Sequence, residues 1–297
     1  MGKMILRTYG VRGVIPKAGV KTINYGGNTA CIGFRVQGMD DIFIFDAGSG
    51  LLALGEEISK SEQHHKIHIF LSHTHRDHIE GLPFFLPAFD PANEVTIYGP
   101  KTKDGLENDI REYASVKFNP IPTGPLSDHI VFKECEQGQE KTGLLEIADL
   151  KIQFMNVNHP LPTLAFRVQV GKVSFTYLTD HEPGQLHKTM FDKTTPEQLE
   201  KEILTFISAS DLLIADCQYM PDEIKLYSGW GHPSIHYIVN AASTAKVKRL
   251  VFTHHDPNRT DKQIDGIVSH YRKILDRKGD GMEIIAGKEV EEYTLYY

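Results

Sequence analysis

Short apolar runs alternate along this chain with longer stretches in which apolar residues recur at helical spacing. Residues 29–36 (TACIGFRV) and 41–45 (DIFIF) read as two strands joined by a Gln-Gly-Met-Asp turn. Asp46-Ala-Gly-Ser-Gly50 turns the chain again, and 51–59 reads as a helix. A strand over 68–71 (HIFL), a helix over 79–85, a strand over 94–98 and a helix over 101–115 follow. Residues 116–143 are loop-rich, with prolines at 120, 122 and 125, and read as an insertion or a lid. The second half repeats the theme. Strands are predicted over 150–157, 164–170 and 173–178, then a helix over 196–208 and a strand over 212–215 running into Asp216. A helix over 232–245 carries Pro233 near its start, where proline is tolerated. A strand over 248–253 ends at His254-His255, a helix spans 260–278, and strands over 282–285 and 291–296 close the chain. Two such halves predict an α/β fold with two mixed sheets face to face and helices outside, a four-layer αββα sandwich. No linker divides them, so residues 1–297 are expected to form one domain.

Composition narrows the function classes. With 297 residues, 40% of them apolar, the chain can bury a large core, and a charged fraction of 24% excludes bulk disorder. The net charge of −7 disfavours broad electrostatic binding of nucleic acid, while leaving room for a local basic patch. No apolar run approaches the ~20 residues of a membrane helix, and the first residues, MGKMILRTYGVRG, lack the apolar stretch of a secretory signal. A cytoplasmic protein is expected. Cys31, Cys135 and Cys217 are far apart and odd in number, as expected of buried thiols in a reducing compartment.

Histidine changes the picture, at 15 of 297 residues. The densest cluster is Leu71-Ser-His73-Thr-His75-Arg-Asp77-His78, directly after an apolar strand. A His-x-His pair at a strand end can turn two nitrogens toward one ion, and Asp77 with His78 can hold a second. Imidazole and carboxylate suit zinc, manganese or iron.

His-x-His-x-Asp-His after an apolar strand resembles the signature of the metallo-β-lactamase-fold hydrolases. Phe45-Asp-Ala-Gly48 resembles the family's first motif, whose aspartate supports the histidine loop. His159 in Val157-Asn-His-Pro160, Asp180 in Tyr177-Leu-Thr-Asp180 and the strand-end Val251-Phe-Thr-His254-His255 match the later motifs in order. The resemblance implies two divalent ions, zinc or manganese with iron also compatible. His73, His75 and His159 would hold one; Asp77, His78 and the last histidine the other; Asp180 would bridge. Alignment of the strand end favours His254 as the last ligand, which leaves His255 behind the ligands or facing substrate. His181 reads as an exposed loop residue.

Tyr25-Gly-Gly-Asn-Thr29, Gly229-Trp-Gly-His232-Pro-Ser234 and His254-His-Asp-Pro257 resemble the phosphodiesterase branch of that family. This branch includes the tRNA 3′-end endonucleases and the cyclic phosphodiesterases. In the endonucleases a Gly-His-Ser-Thr stretch supplies a histidine that is not a ligand. His232 matches it, although Pro233 interrupts the stretch, and the preceding acidic motif falls near Asp216. The resemblance implies a hydroxide between the ions as nucleophile, Asp77 in the reacting set, and His232 as proton donor to the leaving oxygen, oriented by Asp216. The alternative for His232 is a solvated ring at a helix start. Asn28 reads equally as a turn residue or as a contact to phosphate or base, and Arg259 reads as a surface residue. The expected substrate is a small, cyclic or ribose-linked phosphodiester. The charge and the absence of a basic, glycine-rich arm argue against tRNA. RNA 3′-end processing and thioester or lactone hydrolysis are the alternatives on this scaffold. Members of the branch often form homodimers, so a homodimer is an assembly to test.

Overall fold

A computed structural model describes residues 2–61, 63–119, 129–137, 142–147, 150–187 and 194–297. The first sheet holds seven strands: β1 (Lys3–Gly10), β2 (Cys31–Val36), β3 (Ile42–Phe45), β4 (Lys66–Phe70), β5 (Glu94–Pro100), β6 (Val131–Cys135) and the last strand of the chain, β14 (Glu292–Tyr296). Their order is β14-β1-β2-β3-β4-β5-β6. The second sheet holds β7 (Gly143–Ile147), β8 (Leu150–Val157), β9 (Thr163–Val170), β10 (Val173–Leu178), β11 (Leu212–Asp216), β12 (Arg249–Thr253) and β13 (Glu283–Ala286), in the order β13-β12-β11-β10-β9-β8-β7. Each sheet is mixed. β3 to β6 pair parallel, as do β10 to β13, and the remaining pairs are antiparallel.

The alternation of side chains along each strand sorts the core into layers. Phe43, Phe45 and Phe70 of the first sheet meet Phe166, Phe175, Tyr177, Leu212 and Ile214 of the second in one apolar layer. The intervening Ile42, Ile44, Ile67 and Ile69 turn outward onto α1 (Leu51–Ser59) and α3 (Leu106–Ala114). On the other side, Leu213, Ala215 and Leu250 pack beneath α4 (Pro196–Phe206), α5 (Ile235–Thr244) and α6 (Asp261–Lys278). The result is the expected αββα layering. Helices α4 and α6 each start with a full capping box, at Thr195 with Gln198 and at Thr260 with Gln263.

Three strands escape the sequence pattern: β1, β6 and β7. The segment 116–143 is therefore partly strand, since it contains β6 and leads into β7. Its residues 120–128 and 138–141 lie outside the described residues. The predicted helix over 79–85 is also different. A single turn, α2 (Arg76–Ile79), is followed by two 3-10 turns over Leu82–Phe84 and Leu86–Phe89, because Pro83 and Pro87 interrupt helical bonding. Helix α5 begins at Ile235 with Ser234 as its cap, three residues later than expected. Cys31, Cys135 and Cys217 are buried free thiols. Among the described residues, no helix is long and apolar enough to cross a membrane.

Candidate metal centre and its acid–base pair

The C-terminal ends of parallel strands in both sheets meet at one edge of the sandwich, a common location for active sites in α/β proteins. β3 leads into Asp46, β4 leads into the 72–78 loop, β8 leads to His159, β10 to Asp180, β11 ends at Asp216 and β12 leads to His254. Three of these residues take left-handed backbone without being glycine: Asp46 (φ 57°), Asp180 (φ 51°) and His254 (φ 55°). Such geometry costs of order 1–3 kcal/mol per residue and persists where the surroundings enforce it. Here it turns each side chain sharply off its strand end into a common space.

Three ring nitrogens converge around His75. Its Nδ1 lies 2.9 Å from His73 Nε2 and 3.1 Å from His159 Nε2. His159 Nδ1 donates to the Gly231 carbonyl at 2.9 Å, so its Nε2 presents a lone pair inward. Burial holds His73 and His75 below the usual imidazole range and pushes His159 down to about 3, against the attraction of Asp180. A proton on His75 Nδ1 could serve only one of its two facing nitrogens, whereas a cation placed between the three would satisfy them all.

The second group is built differently. His254 Nε2 lies 3.3 Å from His78 Nε2 and 3.1 Å from Asp77 Oδ2. His78 Nδ1 donates to Asp46 at 2.7 Å, and Asp46 also accepts from Tyr177 Oη (2.6 Å), the Ser72 amide (2.7 Å) and Ser72 Oγ (2.9 Å). Asp46 thus holds the histidine loop from behind. His254 Nδ1 donates to Gln218 Oε1 at 2.9 Å. Asp77 also accepts the Val14 amide at 2.6 Å, and Val14 pays for this with φ 70°, an outlier for a β-branched residue. Burial alone would lower both imidazoles, but carboxylates win. His78 is raised by Asp77, Asp46 and Asp180, and His254 is pushed up to about 9 by Asp180 and Asp216. Asp77 and Asp180 are held well below the usual carboxylate range by these histidines, despite their own burial.

Asp180 lies between the groups. Its Oδ2 is 3.6 Å from His73 Nε2, 3.6 Å from His78 Nε2 and 4.0 Å from His159 Nε2, and its Oδ1 is 3.5 Å from His254 Nε2. The donor set of His73, His75, His159 and Asp180, and that of Asp77, His78 and His254, both fit a borderline divalent ion. A third grouping, Asp180 with Asp216, His232 and His254, is also compact. In it, however, His232 Nδ1 is already bonded to Asp216 Oδ2 at 2.8 Å, which makes those two a histidine–carboxylate pair beside the ligands.

His181 and Arg259 lie elsewhere than expected, and the other candidates resolve between their alternatives. His254 faces the cluster, whereas His255 turns its Nε2 to the Gly287 carbonyl at 3.2 Å, buried with its ring edge-on to Tyr25. The left-handed turn at His254 sends the two adjacent rings to different places. Asn28 is not free for substrate: its amide donates to Glu289 at 3.1 Å and accepts from Ser49 Oγ at 3.0 Å, the turn reading of that motif. His181 is buried, 1% exposed, facing Tyr237 Oη and Glu200. Arg259 is half-buried in a two-armed pair with Glu223. His232 is 7% exposed, so the solvated helix-start alternative does not hold.

Sequence reasoning passed over Arg12 and Glu182, whose side-chain hydrogen bonds go to backbone groups with no sequence signature. Arg12 is fully buried and donates to the carbonyls of Gly26 (2.8 Å), Asp256 (3.2 Å) and Arg259 (2.7 Å), tying the first loop to the one after His254.

The model of the beta-lactamase superfamily domain matches residues 42–255, a span from β3 to the end of the cluster. The chain belongs to the beta-lactamase superfamily. Among curated relatives, the ribonuclease Z of Synechococcus sp. strain CC9311 is 26% identical over 273 residues, covering 78% of this chain and 83% of its own. That of Macrococcus caseolyticus is 22% identical over 239 residues, covering 68% and 74%. Among solved structures, the metallo-β-lactamase-fold protein YhfI of Bacillus subtilis superposes with a TM-score of 0.68 at 18% identity, covering 99% of this chain and 100% of its own. Human tRNase Z, short form, gives 0.65 at 18% over 99% and 100%. A diphosphatase of the PhnP family gives 0.65 at 14% over 99% and 98%. Zinc-bound PqqB of Methylobacterium extorquens shares the fold at 0.62 and 15%, over 99% and 100%. This superfamily chain is a metallo-β-lactamase-fold hydrolase whose clustered donors fit divalent metal. The ribonuclease Z relatives leave the expectation against tRNA without support.

Proposed function

We propose that this superfamily member is a dinuclear, metal-dependent phosphodiesterase acting on a small nucleotide or ribose phosphodiester, a cyclic one among the first to test. The observation that carries this reading is the buried His232–Asp216 pair, with His232 Nδ1 2.8 Å from Asp216 and 3.8 Å from the proposed bridging carboxylate Asp180. His73, His75, His159 and Asp180 would hold one ion, and Asp77, His78, His254 and Asp180 the other. When bound, two ions supply positive charge to the phosphoryl oxygens and a water acidic enough to attack near neutral pH. The chain's own residues do the rest. Asp216 accepts the Nδ1 proton and fixes the ring, so Nε2 carries the proton that goes to the leaving oxygen. Asp216 also accepts the Gln218 amide at 2.9 Å, and Gln218 orients His254, so the acid–base pair and the last ligand share one support. Because the core between the sheets draws on both halves, we read residues 1–297 as one hydrolase domain.

The test is turnover by purified protein loaded in turn with zinc and manganese. The panel holds 3′,5′- and 2′,3′-cyclic nucleotides and a bis-aryl phosphodiester, with His75→Ala as blank. Turnover absent from the variant is expected; no turnover of any diester by metal-replete protein would overturn the reading. The ribonuclease Z relatives favour a second reading, RNA 3′-end processing. Precursor tRNA binding that weakens steeply with salt, followed by cleavage, would select it.

A further inference from the structure

The segment that carries His232 also carries the only tryptophan of the chain, Trp230. The residue is 57% exposed, and Leu226, four positions earlier in the chain, is 77% exposed. Trp230 is nevertheless held firmly. Gly229 (φ 86°) and Gly231 (φ 92°) flank it in left-handed backbone, and the carboxylate of Glu182 accepts both their amides, at 2.7 and 2.8 Å. The Trp230 amide itself donates to the Tyr227 carbonyl at 3.1 Å. Gly231 lies against the ligand shell, where a Cβ would sit 1.9 Å from His159 Nδ1. Aromatic rings then run from the acid–base pair to the surface. Tyr219 stands edge-on to His232 (5.7 Å, 77°), Tyr227 stacks on Tyr219 (4.3 Å, 6°), and Trp230 stands edge-on to Tyr227 (5.2 Å, 74°).

A carboxylate that is 9% exposed costs free energy unless it is well hydrogen-bonded. Glu182 spends both oxygens on fixing the two residues around an exposed ring. Core packing gains little from a ring left in solvent, so the fixed ring points to an external flat partner. Within a phosphodiester substrate the flat, apolar group is the nucleobase, and base–aromatic stacking tolerates any base.

We propose that Trp230 is a stacking platform for the nucleobase of the substrate, on the side where His232 protonates the leaving oxygen, and that Glu182 is the residue that positions it. The proposal rests on the phosphodiesterase reading and narrows it from ribose phosphodiesters in general to nucleotides.

The lone tryptophan is its own reporter. Titration of zinc-loaded protein with AMP should quench or shift its fluorescence, and ribose 5-phosphate should not. For the nucleotide diester that turns over best, Trp230→Ala should raise KM by about tenfold or more, with kcat within about twofold, and Trp230→Phe should restore most of the loss. Turnover of a base-free ribose cyclic phosphate should be unchanged. Glu182→Ala should raise KM similarly and add little to KM in the double variant; because Glu182 also holds Gly231, whose carbonyl accepts from His159, the comparison is made at matched metal content. Equal responses to AMP and ribose 5-phosphate, or an unchanged KM in Trp230→Ala, would overturn the proposal while diester turnover stands. A fall in sedimentation mass of Trp230→Ala with KM intact would assign the ring to an interface between copies, and also overturns it. Failure of the underlying reading looks different, because the wild type would then hydrolyse no diester at all.

Discussion

The His73–His75–His159 group and the Asp77–His78–His254 group share Asp180 but are backed by different chemistry. On the first side, the outer nitrogens lean on neutral oxygens: the Gly231 carbonyl behind His159 and Ser72 Oγ, 3.0 Å from His73 Nδ1. On the second side they lean on or near charge. His78 Nδ1 donates to Asp46, and His254 Nδ1, bonded to Gln218, lies 3.7 Å from Asp216. Asp77 adds a further carboxylate among the ligand atoms. A carboxylate behind a histidine raises its basicity toward a metal and also toward a proton. Burial leaves the first group as ready neutral donors, while the second holds protons that an ion must displace. The two halves should therefore differ in how they lose metal and in what disturbs them.

Removing the shared residue should have the largest effect. Asp180→Ala should drop metal content from about two ions per chain toward zero and turnover to that of the His75→Ala blank, read by elemental analysis and the diester assay. Full metal content in that variant would break the picture of two sites joined by one carboxylate. A pair of variants then separates the halves. Gly231→Ala places a Cβ against His159 and should weaken metal retention at the three-histidine group, with lowered thermal stability. Asp46→Asn, which touches His78 directly and His73 only through Ser72 Oγ, should weaken the ion of the second group by about 10–100-fold and that of the first by less, seen in chelator competition as earlier loss of one ion. Equal loss of both ions in Asp46→Asn would erase the distinction.

The histidine loop was legible because four of its side chains, His73, His75, Asp77 and His78, lie within six residues, and local spacing is what a sequence displays best. The strand-end positions of Asp180, Asp216 and His254 were legible too, since each follows a short apolar run. Helix α1 and strands β8 and β10 matched the pattern residue for residue. The edge strands β6 and β7 were not legible. Edge positions leave residues such as Val131 and Leu144 exposed, so alternation is blurred. Distance along the chain hid other features. His181 is buried by Tyr237, 56 residues away, and Asn28 is claimed by Glu289, 261 residues away. The separation of His254 from His255 depends on one left-handed backbone angle, which residue types alone do not reveal.

The central claim is that metal binding and proton donation belong to different residues of one cluster. The most direct measurement compares His232→Ala with the wild type in metal content and in kcat for the diester that turns over best. The account predicts two ions retained, a KM close to wild type and kcat reduced by about 10²–10⁴-fold. Normal turnover would remove His232 as the acid, and loss of an ion would make it a ligand; either result contradicts the account.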